Sequence, residues 1–447
     1  MAGKCLIVVF ALFIYTTVCT GNAGSIVGKP YAQRYFYLDS VFYSNKILHL
    51  DTLALFHELD ALKKQAVRQG DRELLLELDL IRYAAYLRGP QKNLQLAEAG
   101  LLQTIKEAEK LKSRQIELRA RQFLGWAYIN QTLNYHNALN QYLRSYHLLR
   151  ELSAVDFPNK KVHIYNVASA YYQFAAYYRA RTLLKEAQRE PNEHFTARQQ
   201  INLLNTIGMT YIQELKYDSA GYYFMLGHDL ARSTDDSLWM GITGGNRGLI
   251  YYRQGRYAEA IPLLKQDAAT SLAHHEIDNG LTSLIRLADI RLKQGQTDSA
   301  GYALDEVRSY IGQASDPFNI YQYLYPVLSV YYKKRGDLNR ALYYADSSGI
   351  INDSLKMRKD AMRLAQVQHE LDMDAHTRSQ SDRERADRLL RNGVIGLIVV
   401  AAVTLIWYLY KSRSRFIGQR NAFLKEKELI SNDRERVRKD LDLAQTQ

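Results

Sequence analysis

Cysteine is almost missing from this 447-residue sequence. Its two copies, Cys5 and Cys19, both lie within the first 24 residues. The rest of the chain therefore has no disulfide, no thiolate metal site and no cysteine nucleophile, and packing alone must hold it together. Proline is also scarce, with seven residues. Proline removes a helix hydrogen bond and clashes with the preceding turn, so its rarity leaves room for long helices. A Gly-x-Ser-x-Gly elbow is absent, and no paired-carboxylate pattern escapes helix-surface periodicity. The expectation is a protein that is not an enzyme, with no catalytic residues, no cofactor and no metal. Of the net charge of +12, +4 lies in residues 411–447 and +1 at Lys4; the +7 left on the rest is mild, and its basic residues are mixed with acids along helical stretches. Such mixing marks a solvated face and gives no sign of nucleic-acid binding.

What is present is a great deal of apolar and tyrosine surface: 47% hydrophobic residues and 34 tyrosines. That is ample for a core, in a chain too long for one ordinary compact domain. The start reads as a secretory signal peptide, residues 1–24. Lys4 supplies the positive end, Leu6 to Tyr15 the apolar stretch, and Gly21, Ala23 and Gly24 the small residues at which cleavage occurs. Val18 before Cys19 argues against lipid attachment there.

A fixed period runs through the middle. The small residues Ala168, Gly208, Gly248 and Ala288 stand 40 residues apart. Three of them are followed by a tyrosine: Tyr171, Tyr211 and Tyr251. A second alanine recurs in step at Ala180, Ala220, Ala260 and Ala300, trailed by Leu184, Phe224 and Leu264. A further copy sits around Ser329, Tyr332, Gly336 and Ala341, and an upstream one around Gly125, Tyr128, Ala138 and Tyr142. A small residue lets one helix approach its neighbour, and a large one three or four positions on fills the gap. Gly255, Gly295 and Gly336 fall where a first helix must stop, since glycine accepts the left-handed conformation. Each helix pair exposes an apolar face that only the next pair can cover.

The run Gly248-x-x-Tyr251, Gly255-x-Tyr257-x-x-Ala260, with Pro191 as a closing proline, resembles the tetratricopeptide repeat family. The period of 40 exceeds the family's usual ~34, so the helices should be longer. HEAT repeats share that period but lack this residue order. The resemblance implies an all-α fold, a tetratricopeptide-type α-solenoid of antiparallel helix pairs; the full expectation adds a single transmembrane helix and a helical tail after it, read from residues 393–447. The resemblance covers residues 113–352, with a degenerate repeat region over 25–112. It also implies that first helices line a concave groove. Tyr165, Ser169, Tyr172, Asn202, Asn205, Met209, Gln213, Tyr252 and Arg253 are then the candidate partner-binding residues. Aromatic and amide side chains suit a peptide or protein ligand. Each of these residues also has a plainer reading, as packing between helices.

Two motifs look like chemistry and are read otherwise. Gly241-Ile-Thr-Gly244-Gly245-Asn-Arg-Gly248 follows no strand and lacks the Lys-Ser/Thr ending of a phosphate loop. His274 and His275 are adjacent, so on a helix they diverge by ~100°, and they read as an inter-helix turn.

Residues 353–392 form a charged, helix-prone linker with a short stripe of Leu364, Val367 and Leu371. Residues 393–410 carry no charge over 18 positions. At 1.5 Å per residue they reach about 27 Å, enough to span a bilayer core. Trp407, Tyr408 and Tyr410 make an interfacial belt, and Lys411, Arg413 and Arg415 follow at once. The expected placement is single-pass in the inner membrane, with the repeats exported and the basic tail, residues 411–447, cytoplasmic. In that tail Phe416, Phe423, Ile430 and Val437 recur every seven residues, which is the basis for expecting a homodimer through the tail. The layout resembles bacterial signalling receptors that carry such repeats outside the membrane. The segment Glu435–Leu441 is similar to the approach to a histidine-kinase phosphorylation site, but Asp442 stands where the histidine would be. The function expected is a sensor or receptor component that binds a peptide or protein. The alternatives are a passive envelope scaffold, or a truncated kinase or transcription-regulator receptor.

Overall fold

The computed structural model describes residues 26–43, 52–88, 92–191 and 195–444. The expected signal peptide lies outside them. Sixteen α-helices are described: α1 Tyr31–Tyr43, α2 Thr52–Gln69, α3 Arg72–Arg88, α4 Leu94–Leu111, α5 Arg114–Asn130, α6 Tyr135–Glu151, α7 Lys160–Gln173, α8 Tyr177–Arg189, α9 Ala197–Gln213, α10 Tyr217–Ser233, α11 Ser237–Arg253, α12 Tyr257–Ala273, α13 Ile277–Lys293, α14 Thr297–Tyr310, α15 Pro317–Lys334 and α16 Leu338–Ala444. The chain divides into two units, one ending at His369 and the other beginning at Glu370. The first unit is a solenoid of helix pairs, and the first part of the expected linker belongs to it. The second unit is helix throughout its described length.

The 40-residue period has a simple origin. From α9 to α13 every helix has 17 residues, and three residues join each to the next. The middle residue of each turn is left-handed: Leu215 (φ 60°), Asp235 (52°), Gly255 (74°), His275 (59°) and Gly295 (77°). The N–H after it reaches back to close the helix, as from Arg256 to the Tyr251 carbonyl at 2.9 Å and from Glu276 to Ser271 at 2.8 Å. So the His274–His275 pair is a turn, and the excess over a shorter repeat is taken up as helix. Two of these helix starts, those of α9 and α11, are fixed by side chains. Thr196 and Gln199 form a reciprocal capping box, and the Asp236 carboxylate accepts from the Trp239 N–H at 3.1 Å.

Small residues set how closely the pairs approach. A Cβ at Gly208 would lie 2.5 Å from the Phe224 ring, and one at Gly248 would lie 3.1 Å from Leu263 Cβ. The tightest points are one and two turns further back. A Cβ at Gly245 would meet the Asp267 carboxylate at 2.1 Å, and one at Gly241 would meet the Thr270 hydroxyl at 1.9 Å. The phosphate-loop lookalike is thus the interior of α11, and two of its glycines make room for side chains of α12. Asp267 is fully buried and accepts from Ser271 Oγ (3.1 Å), Asn279 Nδ2 (2.7 Å) and Ser283 Oγ (2.6 Å). Burial outweighs those donors and pushes its carboxyl up to about 6.

The early repeats use charge instead. Arg34 of α1, Glu77 of α3 and Arg119 of α5 are all buried. Arg34 Nε donates to Glu77 at 2.8 Å, and Arg119 donates to the other Glu77 oxygen at 3.1 Å. Arg119 also reaches the Tyr31 hydroxyl, and Asn159 donates to the Tyr35 hydroxyl, so α1 lies across the starts of three first helices.

Candidate functional site

First helices of successive pairs approach one another directly: α3 and α5, α5 and α7, α9 and α11, α11 and α13, α13 and α15. This puts them on one continuous face, and the candidate binding residues lie there. Their polar groups, however, follow a rule that the period alone does not reveal. A residue on one first helix pairs with the residue 37 or 41 positions later, and those two partners sit one turn apart on the next first helix. Tyr165 receives a hydrogen bond from Asn202 Nδ2 at 3.0 Å and pairs with Thr206 Oγ1 at 3.1 Å. Gln213 donates to the Tyr172 hydroxyl at 3.3 Å. Asn246 donates to Asn205 at 2.8 Å, Arg253 to the Ile212 carbonyl at 3.2 Å, and Tyr252 to Asp289 at 2.6 Å.

The ladder sorts the nine candidates. Tyr165, Ser169, Tyr172, Asn202 and Asn205 are buried; Met209, Gln213 and Tyr252 are half-buried; Arg253 is exposed. Burial raises the Tyr165 phenol above its ordinary range. Burial, then the bond to the Asp289 carboxylate, does the same for Tyr252. Both stay protonated and serve as neutral donors or acceptors. The buried members hold repeat to repeat. Gln213, Tyr252 and Arg253 keep surface that a ligand can touch, and Lys293 Nζ lies 4.9 Å from the Tyr252 ring to complete a polar patch.

Sequence reasoning missed a second place on this face. At the ends of α5 and α7 and the start of α8, Ile129, Asn130, Tyr172 and Tyr177 border a cavity of about 80 Å³. Its other wall comes from Phe318 of α15 and Leu355, Arg358 and Met362 of α16. Nothing in the local pattern of either stretch announces the other. Among the described residues no three His, Cys, Asp or Glu side chains converge into a group able to hold a metal ion.

No protein-family model and no curated protein sequence matches the chain. Solved structures do. RapI in its apo form is 14% identical, with a TM-score of 0.52 over 73% of this chain and 98% of RapI. A signal-transduction ATPase with a tetratricopeptide repeat sensor, from Pyrococcus horikoshii, is 13% identical with a TM-score of 0.52; the match covers 75% of this chain and 50% of that one. A Rap protein complexed with Competence and Sporulation Factor is 19% identical with a TM-score of 0.49, over 76% and 94% of the two chains. Identities this low speak for the fold alone. The fold is a tetratricopeptide-like all-α solenoid.

Proposed function

We propose that this chain is a membrane-anchored receptor component. Its repeat array, outside the cytoplasm, binds a peptide or protein along the first-helix face. The tail, residues 411–447, passes the event to a cytoplasmic partner. The observation that carries this reading is the helix over Arg385–Lys439. Its apolar window has a mean hydropathy of 2.2, and none of that window is covered by the protein. An uncharged run of this length is stable when lipid covers it. The one short polar side chain within it, Thr404, donates to the Ala401 carbonyl at 2.8 Å, so its hydroxyl is satisfied within the helix. At the end of the run Lys411 Nζ lies 4.7 Å from the Trp407 ring, a pairing suited to a lipid interface. The array belongs to a fold that at least one solved protein uses as a sensor.

Two measurements test the reading. Protease added to intact spheroplasts should digest the repeats and spare the tail; protected repeats would overturn the topology. A photo-crosslinking residue at position 213 or 253 should trap a discrete partner in cells, while one at Tyr302, exposed on α14, should not. Absence of an adduct at both inner positions would remove the binding role.

A further inference from the structure

The start of α16 is the second helix of the last pair, yet one of its faces is buried against repeats formed far earlier in the chain. Ile351, Leu355 and Ala365 are buried and Met362 is half-buried. Ala365 and Met362 belong to the same apolar core as residues of α3 to α9. Leu355 and Met362 share the wall of the cavity with Ile129 and Tyr172. Ile351, Leu355, Arg358, Met362 and Ala365 follow one another at steps of four, three, four and three residues, the alternation with which a helix lays a continuous seam on another helical surface. Apolar residues off this line differ: Ile350, Met357 and Leu364 are 68%, 67% and 67% exposed. The burial is therefore specific to one side.

This deepens the binding role proposed above and rests on it. We infer that the ends of α5 and α7 form a helix-binding groove whose resident occupant is residues 351–367 of the same chain. The partner it takes is an amphipathic helix with apolar residues at the same four-three spacing, and it binds by displacing the resident segment. Three features suit displacement. The seam is short. It carries a charge at its centre, Arg358, whose guanidinium is 5.9 Å from the Phe318 ring, where a purely apolar seam would pack more tightly. It also leaves a cavity unfilled. A ligand shifts only an equilibrium that is near balance, and a resident occupant lowers the apparent affinity by the fraction of time it is seated. Residues 351–367 precede the apolar run within one helix, Leu338–Ala444. Release of the segment therefore acts on the chain that leads to that run.

The test uses the full-length chain in detergent and a fluorescent synthetic peptide of residues 349–369 added in trans. In the wild type the groove is filled, so the peptide should bind poorly. The chain variant Leu355→Asp with Ala365→Asp should bind it at least tenfold more tightly, and a peptide carrying the same two changes should not bind. Circular dichroism establishes that the variant keeps its helical melt. Equal binding to both chains, or none to a folded variant, overturns the inference. Should the variant unfold, the decision passes to an otherwise wild-type chain with Gln173→Cys and Lys359→Cys. A short bis-maleimide should join that pair, and excess free peptide should slow the joining severalfold. No joining, or joining indifferent to peptide, overturns it as well. A non-helical partner trapped at position 213 or 253 would leave the binding role standing while removing this account of it.

Discussion

The later and earlier repeats are held together by different means. From α9 to α13 the cohesion is periodic: equal helices, equal turns, small residues at the closest approaches, and polar pairs 37 or 41 residues apart. From α1 to α7 it is irregular, with a buried Arg34–Glu77–Arg119 network and a helix, α1, that ties three pairs together. Regular packing spreads its energy over many similar contacts. A buried charge network concentrates it in a few groups, because removing one member leaves the remaining buried charges incompletely compensated. The early repeats should therefore be sensitive to loss of single polar groups, and the later ones to added volume.

The largest effect should come from Glu77→Ala, which leaves Arg34 and Arg119 buried without their shared carboxylate. Removing one partner of such a set costs about 3–5 kcal/mol. Hydrogen exchange should rise through α1 to α7 and spare α11 to α14; uniform loss would mean that the two regions unfold as one. Next comes Asp267, whose carboxyl is raised from an ordinary 3.8 to about 6. A raised acid stabilises the fold fully below its unfolded value, and that contribution is lost as pH rises through its folded value. Two units correspond to about 3 kcal/mol. Urea melts should therefore show the wild type losing stability between pH 4 and pH 6 relative to Asp267→Asn. A constant difference between the two proteins would place the carboxyl in solvent.

Gly245→Ala should cost about 1–3 kcal/mol through overpacking, because its Cβ would fall 2.1 Å from Asp267 Oδ2. Gly248→Ala, whose nearest contact would be 3.1 Å, should cost clearly less. The reverse order in thermal melts would mean that the α11–α12 register is wrong. The smallest effect is a gain. Leu215 is left-handed at φ 60° and 66% exposed. Leu215→Gly relieves that conformation while giving up little packing, and should raise stability by about 0.5–1 kcal/mol. No gain there would show that the Leu215 side chain contributes more to packing than its exposure suggests.

Much of the array is legible in the residue pattern. Gly255, Gly295 and Gly336 announce left-handed turns, and the turns are there. Gly208 and Phe224 announce a close approach, and they meet. The candidate site is legible only in part. Tyr165, Asn202 and Asn205 stand on the expected face, but they point into neighbouring repeats, where each finds a polar partner. A pattern of residue types places a side chain on a face. It does not say whether a neighbour or a ligand will satisfy it, because both supply the same hydrogen bond. The 37- and 41-residue spacing of tyrosines and amides is the signal that could have told them apart, and it becomes visible only once the stagger between neighbouring first helices is known.

By itself the sequence determined the helix pair, its 40-residue period, the left-handed turns and the uncharged run at 393–410. Each of these depends on residues near one another along the chain, where helix geometry fixes what meets what. The tertiary structure alone decided that Arg34, Glu77 and Arg119 converge, and that Leu355 and Met362 return to Ile129 and Tyr172. Those meetings depend on the small rotation between neighbouring pairs, summed over many pairs. No single repeat encodes that sum.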